Sequence, residues 1–196
     1  MGDLTNFSID TRTRILEAAL LEFAKTGKDG TKIHAIVNRA GINVRKFYEV
    51  FESKETLYAE AIVYSLERIQ TSLSQPTENE GIRAQLFRLE SALESEPYAA
   101  SLIRWEAAKG WNENLHLNAH KQLSHSEIKA AIESARNSGA LTGYFDSDCL
   151  ASYCILQLLL SFTGTLEKET PTNYSDDLGR VLGTKTDLLM AGLTAK

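Results

Sequence analysis

Apolar residues recur three and four positions apart along most of this chain, and that spacing places them on one face of an α-helix. Segment 11–27 is the clearest example, with an apolar stripe made of Ile15, Leu16, Ala19, Leu20 and Phe23. All 3 prolines fall where the spacing already breaks, as expected for a residue that interrupts helices. No segment alternates apolar and polar residues as a half-buried strand would. The pattern predicts an all-α fold of about nine helices.

A helical segment, a glycine and a second, short helical segment follow one another over residues 32–51 and predict a helix-turn-helix motif. Thr31 and Asn43 are expected to cap the two helices, and Ser53 the next one, because their side-chain oxygens accept hydrogen bonds from free backbone amides. Gly41 supplies the positive φ of the turn. The second helix spans only about two turns, which is marginal in isolation. It is therefore expected to dock through its apolar positions Val44, Phe47 and Phe51.

In this motif the second helix enters the major groove of DNA, where side chains near its start reach base edges. Arg45 or Lys46 is suited to donate to guanine O6 and N7, and Val44 to contact a thymine methyl group. Tyr48 and the residues that open the second and fourth helical segments are suited to phosphates. The predicted DNA-contacting residues are Thr31, Lys32, Asn43, Val44, Arg45, Lys46, Tyr48 and Lys54. Outside such a motif, an Arg-Lys pair is more simply the solvated face of a helix.

The formal net charge of -5 argues against nucleic acid as a partner, but the distribution of charge does not. Basic residues outnumber acidic ones by 9 to 6 over residues 11–58, whereas residues 59–196 carry a net charge of -6. A mildly basic amino-terminal segment is thus joined to an acidic remainder. Attraction to phosphates is expected at the helix-turn-helix motif.

Residues 11–61 resemble the amino-terminal domain of the tetracycline-repressor (TetR) family of bacterial regulators. The shared features are a Thr-Arg start, an Ile-Leu-x-Ala-Ala helix, a Gly-x-x-Gly-Thr loop, an Ala-Gly-Ile turn, Tyr-x-x-Phe in the recognition helix, and Ser-Lys-Glu-x-Leu after it. The recognition helix also departs from the family pattern. Lys46 replaces a frequent threonine, Val50 replaces the usual histidine, and Glu49 adds a negative charge. The resemblance therefore implies DNA binding but leaves the operator sequence open.

The resemblance implies a two-domain regulator. Residues 9–69 would form the DNA-binding domain, and residues 70–196 a ligand-binding and dimerisation domain. Family members usually form homodimers through their last two helices, here near 150–166 and 178–193. They bind a near-palindromic double-stranded DNA operator until a small-molecule inducer releases it. A repressor of this kind is the expectation, and an architectural or adaptor module of the same fold without an inducer is the alternative.

Aromatic and polar side chains in the second domain are candidates for a small-molecule site, because such sites combine apolar walls with a few polar groups. The candidates are Phe87, Trp105, Trp111, His116, His120, Tyr153, Cys154, Gln157 and Phe162. For any one of them, ordinary core packing is the simpler interpretation. The expectation that a pocket exists at all comes from the family resemblance.

Glu113, His116 and His120 lie at positions i, i+3 and i+7, so one helical face would gather a carboxylate and two imidazoles. With a ligand from another helix they would suit Zn²⁺ or iron, which makes a small helical metalloenzyme a second alternative. Surface or pocket-lining residues are the simpler interpretation. The sequence shows no nucleophile-base pair, glycine-rich phosphate loop or Cys-x-x-Cys motif beside them. No catalytic site, metal or cofactor is therefore expected.

Hydropathy and cysteine usage indicate the cellular compartment of the protein. No apolar run reaches the roughly 18 residues that span a bilayer, and the amino end lacks the basic start and apolar core of a signal peptide. Cys149 and Cys154 are five positions apart in a predicted helix, so their side chains point about 140° apart, which disfavours a disulfide. The expectation is a cytoplasmic protein with reduced thiols and no membrane partner.

Overall fold

The computed structural model describes residues 3–73, 81–108, 123–141 and 146–161, which form eight α-helices. The helices are α1 (Asp3–Gly30), α2 (Ile33–Ala40), α3 (Val44–Val50), α4 (Lys54–Ser72), α5 (Ile82–Ser95), α6 (Pro97–Ala108), α7 (His125–Asn137) and α8 (Ser147–Ser161). The described ranges contain no strand, and the predicted all-α class is confirmed. The helix predicted at 178–193 lies outside the described residues.

Helix α1 is longer than the apolar pattern predicted. It begins at Asp3 rather than at Thr11 and runs for 28 residues. Gly27, the predicted helix stop, adopts φ 67° and ψ -179° and interrupts the helix before a last turn ends at Gly30. Glycine takes a positive φ without the steric strain that a Cβ atom would cause. The break is therefore at the predicted residue, although helical structure resumes beyond it.

Thr31 does not cap α2, contrary to the prediction. The residue before α2 is Lys32, in an extended conformation, and no side chain there accepts a hydrogen bond from the helix amides. The Thr31 side chain is instead buried and donates to the carbonyl oxygen of Gly27 at 2.7 Å. The physical reason is the kink, because carbonyl groups at the end of a helix lack partners within it. The hydroxyl of Thr31 supplies one.

The other predicted turn and cap residues are confirmed. Gly41 adopts φ 64° and ψ 38° directly after α2. Asn43 accepts a 2.7 Å hydrogen bond from the amide of Lys46 at the start of α3. Ser53 accepts one of 3.0 Å from the amide of Thr56 at the start of α4. Each cap satisfies an amide that the first turn of a helix leaves without a partner.

Helix α3 is held by its apolar side, as predicted. Phe47 and Phe51 are buried, and Val44 is half-buried against the same core. The rings of Phe47 and Phe51 lie 6.1 Å apart between centroids. A helix of 7 residues is not stable without such contacts. Its position therefore depends on burial rather than on intrinsic helix propensity.

Helices α5 to α8, here called the body, surround a further part of the apolar core. Its inward side chains include Leu86, Leu89, Leu102, Ile103, Ile128, Ile132, Ile155 and Leu158. Helix α6 also packs against α1 and α4, so it contacts both the body and the helices that carry the helix-turn-helix motif. Helix α4 runs on to Ser72, past residue 69, and the domain boundary proposed there stays a prediction.

Both cysteines are free thiols, as their spacing predicts, with Cys149 exposed and Cys154 buried. Burial raises the pKa of the Cys154 thiol to about 11, so this thiol stays protonated at neutral pH. Within the described ranges, no helix combines the length and the apolar character needed to cross a membrane.

Candidate nucleic-acid interface

The outward face of α3 carries the side chains that the sequence assigns to DNA. The side chain of Arg45 is 90% exposed and that of Lys46 is 41% exposed, while Tyr48 as a residue is 53% exposed. All three point away from the core because Phe47, between them in the sequence, is buried in it. A short helix anchored on one side in this way leaves its other side free to enter a groove.

Glu49 lies on the same outward face of α3. The sequence alone did not determine on which side of the helix this residue lies. Its carboxylate pairs with Arg45 Nε at 3.4 Å and with Lys46 Nζ at 3.2 Å. The Glu49 side chain is 48% exposed. One carboxylate therefore stands beside both cations of the recognition helix.

Asn43 and Val44 open α3 and are less available than the residues after them. The side-chain oxygen of Asn43 accepts from the Lys46 amide, so its amino group is the part suited to donate to DNA. Val44 is half-buried, and only part of its side chain is accessible to a thymine methyl group. Their contacts with DNA stay predictions.

The residues predicted to bind phosphate at the starts of α2 and α4 differ in availability. Lys32 is exposed. Thr31 is only 4% exposed, and its hydroxyl is engaged with the end of α1. The ammonium group of Lys54 donates to the carbonyl oxygens of Lys28 at 3.0 Å and Thr31 at 3.2 Å. Since an ammonium has three N–H donors, Lys54 closes the α1–α2 loop and keeps one donor for a phosphate.

Two arginines of α1 hold the motif together, a structural role that the sequence analysis did not assign to them. Arg14 donates to the carbonyl oxygen of Ala40 at 2.6 Å, at the end of α2. The guanidinium carbon of Arg12 lies 4.6 Å from the centroid of the Phe51 ring, and Arg12 also pairs with Glu60. Cations are favourable at helix carboxyl ends and over aromatic faces. The positive charge available to DNA is thus smaller than the sequence count indicates.

Two side chains of α6 connect the body to the helices of the DNA-binding motif. Trp105 donates through Nε1 to the carbonyl oxygen of Ala24 at 3.0 Å. Its ring carbons lie 3.5 Å from the position that a Cβ atom on Gly27 would occupy. Glu106 accepts a 2.5 Å hydrogen bond from the hydroxyl of Tyr58 on α4. A displacement of α6 would therefore act on the kink of α1 and on α4.

The contact between Tyr58 and Glu106 makes stability depend on pH in the alkaline range. Burial, followed by the hydrogen bond to Glu106, raises the pKa of the Tyr58 hydroxyl above its ordinary value of 10.0. An unfolded tyrosine loses its proton above about pH 10, whereas the folded protein retains it. The stabilisation is therefore fully present below pH 10 and is lost as the pH rises beyond it.

Replacing Tyr58 with phenylalanine tests this dependence. At about pH 8 we expect the variant to lose about 1–2 kcal/mol of unfolding free energy, because the partner left behind is a carboxylate. Denaturant unfolding of both proteins between about pH 8 and pH 11 is the measurement. The difference in unfolding free energy between wild type and Tyr58→Phe should become smaller above about pH 10. A difference that stays constant would contradict the raised pKa of the Tyr58 hydroxyl.

The predicted ligand-site residues do not share one location. Phe87 and Tyr153 are 54% and 52% exposed, unlike the walls of an enclosed site, whereas Cys154 is fully buried. Gln157 is half-buried, and Trp105 belongs to the contact between α6 and α1. The other candidates and the proposed metal ligand Glu113 lie outside the described residues; they are Trp111, His116, His120 and Phe162. Among the residues that are described, no three metal-ligating side chains cluster together.

Polar residues buried on α5 and α6 are a feature that the sequence analysis missed. Gln85 is 5% exposed and Ser101 is fully buried. Neither Gln85 Oε1 nor Ser101 Oγ has a hydrogen-bond partner among the described residues. Arg88, one turn after Gln85, is 9% exposed. The signal available in the sequence was the place of Gln85 in an apolar stripe, three residues after Ile82 and four before Leu89.

Comparison with known proteins places this geometry in a family. Residues 15–61 match the model for bacterial regulatory proteins, tetR family. The HTH-type transcriptional repressor SCO4008 of Streptomyces coelicolor is 27% identical over 132 residues, 67% of this chain and 68% of that protein. The uncharacterized HTH-type transcriptional regulator YdgC of Bacillus subtilis is 41% identical over 54 residues, and the match spans 28% of each protein.

The fold has a solved counterpart. The structure of Salmonella enterica GusR superposes with a TM-score of 0.65 at 20% identity, covering 95% of this chain and 96% of that one. The family and the named relatives are transcriptional regulators, which confirms that the protein is not an enzyme and discards the metalloenzyme alternative. Residues 15–61 therefore form a DNA-binding domain of the type found in the tetR family of bacterial regulatory proteins, and the protein is a transcriptional regulator whose DNA-binding helix-turn-helix motif is formed by α2 and α3.

Proposed function

We propose that this regulator is a repressor that binds a near-palindromic operator as a homodimer and leaves it when a small molecule binds the body. The observation that carries the proposal is the geometry of α3, which buries Phe47 and presents Arg45, Lys46 and Tyr48 to solvent. In a two-fold dimer, two such helices would enter successive major grooves about 34–36 Å apart. The operator would then repeat the same half-site in inverted orientation.

Within each half-site, base edges and phosphates would be bound by different residues. Arg45 and Lys46 are the donors suited to guanine. Tyr48, Lys32 and the remaining N–H of Lys54 are suited to phosphates, which fix the protein on the duplex without reading its sequence. Thr31 would contribute through its structural role at the end of α1 rather than through its buried hydroxyl.

The homodimer would form through α8 and the helix predicted at 178–193. On α8, the apolar side chains of Tyr153, Leu156 and Leu160 are exposed or half-buried, and their spacing of three and four places them on one face. Tyr153 is 52% and Leu160 47% exposed. An exposed apolar stripe of this kind often marks an interaction surface. In a two-fold dimer the same stripe of a second copy would cover it.

The body would bind a small molecule that carries hydrogen-bonding groups. Gln85 Oε1 and Ser101 Oγ are buried without a partner among the described residues, whereas buried polar atoms in proteins nearly always have one. A polar ligand would satisfy them. The aromatic and imidazole residues predicted for this site at Trp111, His116 and His120 would supply further walls, since such sites combine both kinds of group.

Helix α6 would carry the response from the body to the DNA-binding helices. It bears Ser101 on its buried side and, about one turn later, Trp105 and Glu106, which bind the α1 kink and α4. A ligand that favours one position of α6 would shift the spacing of the two recognition helices. Release of the operator is then a shift between two populations of the dimer.

Replacing both Arg45 and Lys46 with alanine tests the DNA-binding part. We expect operator affinity to fall by about 100-fold or more, because base contacts and phosphate attraction are lost together. The fold should be unchanged, since both side chains are exposed. The measurement is a gel shift on an operator selected from random DNA. Lys129→Ala, on α7 of the body, is the control for loss of positive charge. An unchanged operator affinity in the double variant would show that α3 does not contact the DNA bases.

The ligand-responsive part requires a separate experiment. Selection of bound DNA from a random pool, repeated with candidate small molecules, should identify compounds that release the selected operator. The same compounds should raise the melting temperature of the wild-type protein, because a ligand bound only to the folded state stabilises it. Release without such binding would contradict the proposal. A body that binds no compound while the protein still binds DNA would favour the architectural or adaptor module.

A further inference from the structure

Glu49 occupies an unusual position on α3, because one carboxylate faces both cations of the recognition helix. It lies 3.4 Å from Arg45 Nε at spacing i, i+4 and 3.2 Å from Lys46 Nζ at spacing i, i+3. The side chain of Arg45 is 90% exposed, and those of Lys46 and Glu49 are 41% and 48% exposed. The three groups together carry one positive charge, whereas the two cations alone would carry two.

Stability of α3 does not account for this arrangement. Exposed ion pairs contribute little to folding, since water screens them and holding two long side chains together reduces their freedom. The helix is already anchored by the buried ring of Phe47 and capped by Asn43. The carboxylate is therefore positioned on the surface that meets DNA without being required to form that surface.

The charge of Glu49 weakens attraction to any DNA sequence. Binding to phosphates depends on the number of uncompensated cations, and that part of the affinity is independent of sequence. A carboxylate beside Arg45 and Lys46 competes with phosphates for both of them and is itself repelled by the backbone. Non-specific binding loses most from this competition, because it has no base contacts to replace the lost attraction.

The carboxylate of Glu49 can accept hydrogen bonds but cannot donate any, and this restricts the base edges that it can face. In the major groove it can accept from the N4 amino group of cytosine, whereas guanine presents two acceptors, O6 and N7, that repel it. Arg45 and Lys46 have the opposite preference. The outward face of α3 thus presents donors and an acceptor within about one helical turn.

We propose that Glu49 is a specificity-determining residue of the recognition helix, a role that exists only if the protein binds an operator as proposed. It lowers affinity for DNA in general and favours half-sites that present a cytosine amino group at the position it faces. In the free protein, Glu49 forms ion pairs with Arg45 and Lys46. On the operator, Glu49 gives up these ion pairs and accepts a hydrogen bond from a base.

The test is selection of bound DNA from a random pool with the wild type, Glu49→Ala and Glu49→Gln. The wild type should enrich cytosine at one position of each half-site. Glu49→Ala should lose the preference at that position alone, and Glu49→Gln should move it toward adenine, the base that glutamine pairs with. For Glu49→Ala, the ratio of operator affinity to non-specific affinity should fall about 10-fold or more. A plot of the logarithm of the affinity of Glu49→Ala for DNA against the logarithm of salt concentration should have a slope about one unit steeper than that of the wild type.

Glu52→Ala is the matched control, since Glu52 is an exposed carboxylate two residues after the end of α3, in the same segment of the chain. It should leave the selected sequence unchanged. The inference is overturned if both Glu49 variants select the wild-type sequence with an unchanged salt dependence, or if Glu52→Ala has the same effects as Glu49→Ala. Failure of the wild type to select any sequence would instead overturn the proposed operator binding itself.

Discussion

Replacing Phe47 with alanine is expected to lower the free energy of unfolding by about 3–5 kcal/mol, the usual range for deleting a buried aromatic ring, and to abolish operator binding. Phe47 is completely buried, and no other side chain of α3 is. A helix of 7 residues has little stability of its own, so the remaining contacts would not hold α3 in place. Denaturant unfolding followed by circular dichroism measures the first effect, and a gel shift the second.

Tyr48→Ala is the matched control for Phe47→Ala, because the two residues are neighbours with opposite exposure. Tyr48 is 53% exposed, so its removal should change stability by less than about 1 kcal/mol while still weakening operator binding. The two variants would thus separate support of α3 from contact with DNA. Equal destabilisation by both, or wild-type stability of Phe47→Ala, would mean that α3 is not held by the Phe47 ring.

The parts of this motif that could be predicted from sequence are those determined by residues close together in the chain. Asn43 and Ser53 bond to amides three residues away, and Gly41 acts through its own φ. The apolar spacing within α3 likewise identified the buried side before the core was known. Capping, turns and helical periodicity depend on local sequence, so a local pattern was sufficient.

Partners distant in sequence could not be predicted in this way. Lys54 and Arg14 each bind a carbonyl group 26 positions away, and a count of charges does not distinguish such a residue from one facing solvent. Thr31 failed as a predicted cap for a related reason. Its type was suitable, but the kink at Gly27 placed a different partner within reach.

The candidate ligand site shows a second limit of sequence analysis. Residue type suggested Phe87 and Tyr153 as walls, yet both are exposed, because an aromatic side chain has no fixed preference between a core, a pocket and an interface. Gln85 was overlooked although it occupies an inward position of α5. A polar residue within an apolar stripe was the more informative pattern.

Replacing Trp105 with alanine is expected to lower the free energy of unfolding by about 3 kcal/mol, at the low end of the range for aromatic deletion because this ring is only half-buried. The change removes the hydrogen bond to the carbonyl oxygen of Ala24 and leaves a gap against Gly27. Since Thr31 bonds to the Gly27 carbonyl oxygen, loosening the kink should also loosen the start of α2. Operator affinity should therefore fall several-fold, although Trp105 does not face α3.

Trp105→Phe separates the two functions of this side chain. It keeps an aromatic ring against Gly27 but lacks the N–H donor, so it should lose only about 0.5–1.5 kcal/mol, the net contribution of one hydrogen bond. If contact between α6 and the kink transmits the response, Trp105→Phe should still release the operator with an inducer, whereas Trp105→Ala should bind the inducer and respond weakly. Equal stability and equal release in both variants would mean that α6 acts on the DNA-binding helices through Glu106 and Tyr58 instead.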